Sequence, residues 1–167
     1  MKDHRTFLRT FALIAQKHPD ARAVVVGQGP LDQDLREEVK SMGLASVVHF
    51  VGEVRNDIGS WFRAMDLMLF TSRWGESFPN VLLEAMFCGV PIVATDVSAV
   101  NQIIDSGKNG HIAPIGDHRK LAALACDVLS SDAKRAEFVA NARDKVAEFT
   151  VEAMVLRYQS LYASLAK

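Results

Sequence analysis

Short apolar runs alternate with amphipathic helical segments along almost the whole chain, and this alternation limits the folds that the sequence can adopt. The runs 22–26, 67–70 and 91–94 are rich in Val, Ile, Leu and Phe and are too short to be independent helices. They lack the polar–apolar alternation of a half-exposed strand, so they are typical of strands that are covered on both faces. Strands of this kind that alternate with helices predict an α/β fold, a parallel sheet with helices on both faces.

Capping residues indicate where several helices begin and end. Asp3 is a good N-cap for a first helix, which should end before Pro19. Gly43 should end the second helix, and Gly89 should end the helix at 79–88. We expect further helices at about 57–65, 79–88 and 99–104, and further strands at 47–50 and 111–113. From Asp117 onward the pattern predicts two or three amphipathic helices and no further strand.

Length and composition are those of one globular domain. The chain has 167 residues, 49% of them hydrophobic, and a formal net charge of −1. We therefore expect a single domain over 1–167, with a helical C-terminal segment from about 117 to 167. The basic residues are scattered and form no Lys/Arg run, which argues against a nucleic acid partner.

Cysteine and histidine usage favours a reduced, metal-free, cytoplasmic protein. Cys88 and Cys126 lie in apolar contexts without CxxC spacing, and the five histidines show no paired ligand spacing. The polar start, 1–5, does not resemble a signal peptide, and no apolar run reaches the length of a membrane span. We expect no metal and no cofactor.

The most unusual charged residue is Glu84. Between Phe78 and Ala94 it is the only ionisable residue besides Cys88. A glutamate among apolar residues is rare unless it is paired, so we expect Glu84 to be buried with a partner. Pro79 suits the first position of the helix at 79–88. The free amide groups at the start of this helix should form an anion site suited to a phosphate; they belong to Asn80, Val81 and Leu82.

Ligands of parallel α/β sheets bind at the carboxyl ends of the strands. The loops 27–29, 52–54, 71–78 and 95–99 all follow predicted strands and should meet at that edge. The glycine turn at 27–29 is weak evidence by itself, because a turn between a strand and a helix often needs glycine.

Two long segments, 73–86 (RWGESFPNVLLEAM) and 88–96 (CGVPIVATD), resemble the donor-binding half of the family 4 glycosyltransferases. The resemblance extends to 26–31, 50–52, 64–66 and 107–110, and so covers nearly the whole chain. It implies a Rossmann-like, doubly wound parallel sheet that forms the C-terminal half of a GT-B fold, in which two such domains face each other across a cleft.

The resemblance also implies roles for individual residues. Glu84 would accept hydrogen bonds from the ribose of a nucleoside-diphosphate sugar, Glu76 would position the donor sugar, and Lys2 would neutralise the departing diphosphate. Glu76 and Lys2 are thus the catalytic candidates. The donor-binding candidates are Glu84, Phe78, Asn80, Val81, Val54, Gly27 and Ser77, with the backbone of Val54 meeting the nucleobase. The family retains anomeric configuration and uses no metal.

The sequence also departs from the family pattern. A Gly-Arg loop and the central strand before it should precede Lys2, but the chain begins too late to contain them. We therefore expect part of a longer enzyme, without its first central strand and its N-terminal acceptor domain. Ser98-Ala99 and Gln102 stand where relatives carry Gly-Gly and Glu, so the resemblance carries over no contact from that loop.

Three functions stay open at this point. The first is a fragment of a retaining glycosyltransferase that acts on a saccharide, a lipid or a small metabolite, with a lipid acceptor placing it at the inner face of the membrane. The second is a non-catalytic module that binds a nucleotide sugar, and the third is another GT-B enzyme, such as an epimerase or a phosphorylase.

Simpler interpretations of single residues also stay open. Glu76 and Lys2 could each be a solvated surface charge. Trp74 would either line the sugar site or pack under it.

Overall fold

The computed structural model describes residues 1–97 and 99–166, and its elements follow the predicted alternation of strands and helices. The strands are β1 (Ala23–Val26), β2 (Val48–Gly52), β3 (Met68–Phe70), β4 (Ile92–Thr95) and β5 (His111–Ala113). The helices are α1 (His4–Lys17), α2 (Asp32–Ser41), α3 (Ile58–Arg63), α4 (Asn80–Phe87), α5 (Val100–Ile103), α6 (His118–Leu129), α7 (Asp132–Ala147) and α8 (Val151–Leu165).

The predicted capping residues lie at the helix ends, Asp3 at the start of α1 and two glycines after α2 and α4. The side chain of Asp3 accepts a hydrogen bond from the amide of Thr6 at the start of α1. Gly43 and Gly89 follow α2 and α4 with φ angles of 71° and 78°, a left-handed conformation that glycine adopts without strain. Pro79 lies at the N-cap of α4, one residue before the first helical position that the sequence predicts for it.

All strand pairs are parallel, which confirms the predicted α/β class. Among the described residues the strands form two separate sheets, one of β1 and β2 and one in the order β3-β4-β5. The sheet is therefore divided between β1 and β3. The expected absence of a first central strand predicts a break at this place, because it leaves two strands without their shared neighbour.

The burial of the strands reflects this division. All four residues of β4 are buried, because β4 lies between β3 and β5 and is covered on both faces. In β1 and β3, which have similarly apolar sequences, only Ala23 and Phe70 are buried and the other residues are half-exposed. Both strands line one groove of about 720 Å³.

Helix α1 connects the two parts of the molecule. Leu8 and Phe11 pack into the apolar cluster of β1, β2 and α2, whereas Ile14 packs into the cluster of β4, β5 and α6. The helix runs along α6, where the buried hydroxyl of Thr10 donates to the carbonyl of His118 over 3.5 Å. This packing sets the width of the groove, because each half of the core holds one side of α1.

The C-terminal segment is helical, as predicted, and its three helices differ in burial. Helices α6 and α7 contribute buried side chains to the core, including Leu121 and Phe138. Helix α8 has no buried residue and exposes several apolar side chains.

Candidate functional site at the carboxyl end of β3

Lys2 and Glu76, the two predicted catalytic residues, lie in direct contact although they are 74 positions apart in sequence. The Nζ of Lys2 is 2.5 Å from Oε1 of Glu76, and they form an ion pair. Only 11% of the Glu76 side chain is exposed, so this carboxylate is not a solvated loop residue. The structure thus brings a cation and an anion together at the carboxyl end of β3, where α/β sheets bind ligands.

Ser72 is a third member of this cluster, which the sequence analysis missed. Its hydroxyl is 2.7 Å from the same Oε1 of Glu76, and the residue is 1% exposed. The hydroxyl of Thr95, at the end of β4, donates in turn to the carbonyl oxygen of Ser72 over 2.5 Å. A lone serine gives no periodic signal. The only indication in the sequence was its position between the predicted strand at 67–70 and Glu76.

The surroundings of Glu76 favour its charged form. Burial by itself would raise the pKa of Glu76, but the hydrogen bonds from Lys2 and Ser72, together with the positive charge of Lys2, outweigh burial and leave the pKa below its usual value. Glu76 is therefore an anion at neutral pH. It is suited to accept hydrogen bonds and unsuited to act as a general acid.

The backbone around Lys2 is fixed to the segment that follows β3. The hydroxyl of Thr71 donates to the carbonyl oxygen of Lys2 at 3.0 Å, and the amide of Arg73 donates to the carbonyl oxygen of Met1 at 2.9 Å. Gly75 has a φ of 79°, and a Cβ added there would lie 2.8 Å from the sulfur of Met1. These contacts hold the first residues of the chain close to the Glu76 loop.

The prediction that Glu84 is buried is wrong. Glu84 is exposed, since it shares one stripe of α4 with Asn80 and Phe87, which are also exposed. Positions i, i+4 and i+7 lie on the same side of a helix, and the opposite side of α4 buries Leu82 and Met86. Glu84 nevertheless lines the groove between β1 and β3, together with Lys2. It is thus an accessible acceptor at the edge of the site.

The N-terminus of α4 differs in part from the predicted anion site. The amide of Asn80 donates to the carbonyl oxygen of Phe78 at 3.0 Å, and the amide of Leu82 donates to the carbonyl oxygen of Pro79 at 3.0 Å. Two of the three amides expected to be free therefore have backbone partners, because the chain makes a tight turn as it enters the helix. Val81 is half-buried against the core beside them.

The remaining residues of the Glu76 loop are more open. Ser77 is exposed, and Phe78 is 37% exposed with its ring centroid 5.6 Å from that of Phe149. Trp74 is 60% exposed, so it does not pack under the site. These side chains are free to meet a ligand that approaches from solvent.

Gly27 and Val54 lie just beyond the carboxyl ends of β1 and β2. The amide of Gly27 donates to the carbonyl of Gly52 at 2.7 Å, which joins the loops after β1 and β2. Val54 is half-buried just beyond, between Glu53 and Arg55, which form an exposed ion pair. The structure therefore places Gly27 and Val54 at the ends of β1 and β2 and the Lys2–Glu76 pair at the end of β3. The groove separates β1 from β3.

The loop after β4 is described only in part. Ser98 lies outside the described residues, whereas Ala99 is buried and Gln102 is exposed. Within 1–97 and 99–166, no group of three or more His, Cys, Asp or Glu side chains is placed to hold a metal ion. In the same part of the chain, no helix combines the length and the apolar character that crossing a membrane requires.

Replacement of Ser72 by alanine should raise the pKa of Glu76, because the carboxylate loses a hydrogen bond that stabilises its charge. The pKa can be measured by following the carboxyl carbon of Glu76 by NMR as a function of pH. Ser77→Ala, which changes an exposed serine of the same loop, is the matched control and should leave that pKa in place. An unchanged pKa in Ser72→Ala would mean that Lys2 alone sets the charge of Glu76.

Comparison with known proteins places these features in a family. A family model described as "Glycosyl transferases group 1" matches residues 1–131. The N-acetyl-alpha-D-glucosaminyl L-malate synthase of Bacillus anthracis is 33% identical over 86% of this chain and 37% of that protein. The lipopolysaccharide core biosynthesis mannosyltransferase LpsB of Rhizobium meliloti is 32% identical over 96% of this chain and 48% of that protein. The chain thus spans less than half the length of either relative.

Solved structures agree in fold. Anabaena HepE, in a crystal structure with UDP-glucose, is 28% identical with a TM-score of 0.86, over 98% of this chain and 45% of that chain. The C-terminal domain of LpcC, a group 1 family glycosyl transferase from Francisella tularensis, is 28% identical with a TM-score of 0.80, over 90% of this chain and 80% of that chain. The chain therefore belongs to the group 1 glycosyl transferases and has the fold of the C-terminal domain of a GT-B glycosyltransferase.

Proposed function

We propose that this chain is the donor-binding domain of a retaining glycosyltransferase, which transfers a sugar from a nucleoside-diphosphate sugar to an acceptor. The observation that carries the proposal is the Lys2–Glu76–Ser72 cluster at the carboxyl end of β3, in which Glu76 lies four residues before the start of α4. HepE, which shares the fold at 28% identity, was solved with UDP-glucose, and this supports a nucleotide-sugar donor.

In this proposal the bond between the anomeric carbon and the diphosphate oxygen breaks, and a hydroxyl oxygen of the acceptor bonds to that carbon on the same face of the sugar. The proton of this hydroxyl passes to the departing diphosphate. Lys2 stabilises the negative charge that develops on the departing diphosphate. The N-terminal end of the α4 dipole adds to this stabilisation, although two of its amides have backbone partners. No metal ion and no other cofactor takes part.

Glu76 positions the donor sugar by accepting hydrogen bonds from its hydroxyls, and Ser72 fixes the carboxylate. Because Lys2 and Glu76 are paired in the structure, donor binding must loosen this ion pair so that each partner can turn to its part of the ligand. This exchange favours a ligand that carries both a diphosphate and hydroxyl groups over either part alone.

The rest of the donor extends toward the groove. Glu84 accepts hydrogen bonds from the ribose hydroxyls, which its exposed position on α4 permits. The backbone at Val54 meets the nucleobase. Smaller contacts to the sugar or the diphosphate come from Gly27, Ser77, Phe78, Asn80 and Val81.

The acceptor, in this proposal, binds to an N-terminal domain of a longer protein, in keeping with the share of its relatives that the chain spans. Residues 1–167 then act as one donor-binding domain, which is inactive in transfer without that partner. The protein works in the cytoplasm, at the inner face of the membrane where the acceptor is a lipid. One group of relatives is named as phosphatidyl-myo-inositol mannosyltransferases.

The test is a titration of the chain with UDP, GDP and ADP in turn. Binding is monitored through the NMR signals of the backbone amides from Phe78 to Glu84. We expect saturable shifts with one of the three nucleotides, and much weaker shifts with inorganic pyrophosphate, which lacks the ribose and the base. If a folded chain shows no shift with any nucleotide, the assignment of the donor site is wrong. Equal shifts with pyrophosphate would reduce the site to one for a simple anion.

A further inference from the structure

Phe149 lies at the corner between α7 and α8, and its backbone is fixed on both sides. The residue before it, Glu148, is the C-cap of α7, and the residue after it, Thr150, is the N-cap of α8. The amide of Phe149 donates to the carbonyl oxygen of Val146 at 3.0 Å, and the hydroxyl of Thr150 accepts from the amide of Ala153 at 3.2 Å. The side chain of Phe149 therefore starts from a well-defined position.

The ring of Phe149 is anchored on α4. It is half-buried and packs against the apolar cluster that contains Leu82 and Met86. The Nζ of Lys145 lies 5.9 Å from the centroid of the ring, which adds a cation–π attraction. The same Nζ is 3.5 Å from Oε2 of Glu148, so this cation is itself held in place. Phe149 is thus a firm support for any side chain that it contacts.

Phe149 also contacts Phe78, which lies in the loop between Glu76 and α4. The centroids of the two rings are 5.6 Å apart, with 45° between their planes, and this distance is within the range of attractive aromatic pairs. Because Phe78 is 37% exposed, the contact covers only part of its ring. The corner between α7 and α8 therefore supports the loop that carries the predicted site residues.

The backbone of this loop has few other supports. Within 1–97 and 99–166, the amides of 74–78 donate to no protein acceptor. The side chain of Glu76 is held by an ion pair and by a hydrogen bond, and Phe78 is held two residues further along by Phe149. Side-chain contacts, rather than a backbone ladder, thus set the position of the loop.

We propose that Phe149 is a positioning residue of the donor site, because it holds the amide of Phe78 where this amide can donate to an oxygen of the diphosphate. The inference rests on the proposed function, in which Phe78 contributes a contact to the donor. Phe78 directly precedes Pro79, the N-cap of α4, and the dipole of this helix favours an anion there. Phe149 itself contacts no part of the donor and acts only through Phe78.

The reason for such a support is the conformational entropy of the loop. An amide that is held in place before the ligand arrives loses little freedom on binding, whereas a mobile loop must be ordered at that moment, at a cost in affinity. Two of the amides at the start of α4 already have backbone partners, so the Phe78 amide is a valuable additional donor at this end of the helix.

The first test requires no nucleotide and measures the mobility of the loop by NMR relaxation of the backbone amides. In Phe149→Ala we expect the order parameter of the Phe78 amide to fall below about 0.6, against about 0.85 for rigid backbone in the unchanged chain. Phe50→Ala is the matched control, because Phe50 is also half-buried but packs in the cluster of β1, β2 and α2. An unchanged order parameter in Phe149→Ala, or an equal fall in Phe50→Ala, would overturn the proposal.

Two further variants separate the ring from its apolar volume. Phe149→Tyr keeps the ring and should leave the Phe78 amide rigid. Phe149→Leu keeps apolar volume without the ring, so the order parameter should lie between those of the alanine variant and the unchanged chain. The leucine variant also takes the place of Phe149→Ala if that variant does not fold. A leucine variant as rigid as the unchanged chain would overturn the aromatic contact as the support of the loop.

The second test measures affinity by isothermal titration calorimetry, with whichever of UDP, GDP and ADP binds the unchanged chain. Phe149→Ala should weaken binding by about three- to tenfold, because the loop must then be ordered on binding. In a Phe78→Ala background the same replacement should cause no further loss, since Phe149 acts through Phe78. An unchanged affinity in Phe149→Ala, or a full further loss in the Phe78→Ala background, would overturn the proposal.

The two tests distinguish failure of this inference from failure of the proposed function. If none of the three nucleotides binds the unchanged chain, the proposed function is contradicted, and the positioning role falls with it. If a nucleotide binds and the Phe78 amide is equally rigid with and without the Phe149 ring, the donor site stands and only the role of Phe149 is overturned.

Discussion

Replacement of Glu84 by alanine is expected to weaken the binding of a nucleoside diphosphate by about ten- to one-hundredfold. In the proposed function this carboxylate accepts hydrogen bonds from the ribose hydroxyls, and a hydrogen bond to a charged group contributes about 1.5–3 kcal/mol to binding. The variant should fold normally, because Glu84 is exposed on α4 and surface substitutions usually change the free energy of unfolding by less than about 0.5 kcal/mol. Isothermal titration calorimetry with the nucleotide that shifts the amide signals of 78–84 measures the loss of affinity.

The control for this experiment is Glu137→Ala, which removes an exposed helical glutamate from α7 and should leave the affinity unchanged. An equal loss in both variants would point to the net charge of the domain rather than to a contact. No loss in Glu84→Ala would remove Glu84 from the site and leave the Lys2–Glu76 pair as the centre of binding.

Replacement of Phe138 by alanine is expected to lower the free energy of unfolding by about 3–5 kcal/mol. Phe138 is 1% exposed, and its ring packs edge-on against that of His111 with 5.0 Å between the centroids. Phe138 belongs to an apolar cluster that joins α6, α7 and β4, so a cavity at this position weakens the packing of α6 and α7 on the sheet. Urea denaturation followed by circular dichroism measures the change.

The chain offers a matched control in Phe87→Ala, because Phe87 is 79% exposed at the end of α4. The same chemical change should there cost less than about 0.5 kcal/mol. A comparable loss in both variants would show that Phe87 is covered in solution, and a loss below about 1 kcal/mol in Phe138→Ala would show that the core collapses easily around the missing ring.

The regular elements could be predicted from the sequence because their signals are local. Asp3, Gly43 and Gly89 mark helix ends through their own backbone preferences, and the strands appear as short apolar runs. The division of the sheet followed from a resemblance rather than from any residue pattern.

The site was predictable only in part, for physical reasons. Glu84 has apolar neighbours along the chain, but the helical repeat turns it to the same side as Asn80 and Phe87, so neighbours in sequence are not its neighbours in space. Ser72 was missed because its role depends on a contact with Glu76, which is four residues further along the same loop, and on Thr95, which reaches it from β4. The pairing of Lys2 with Glu76 likewise exists only after the N-terminus meets β3.

The packing of α1 on α6 has a consequence for the order of folding. Thr10 and His118 are 108 positions apart, so α1 docks on a segment that the ribosome adds 108 residues later. Contacts of such long range slow folding, because the intervening chain must be closed into a loop before they form. During synthesis the β1–β2 unit with α1 and α2 can form early, but it must wait for α6 before it is attached to the second sheet. Until then the side of α1 that carries Ile14 stays open to water, and exposed apolar surface of this kind makes a nascent chain prone to aggregation.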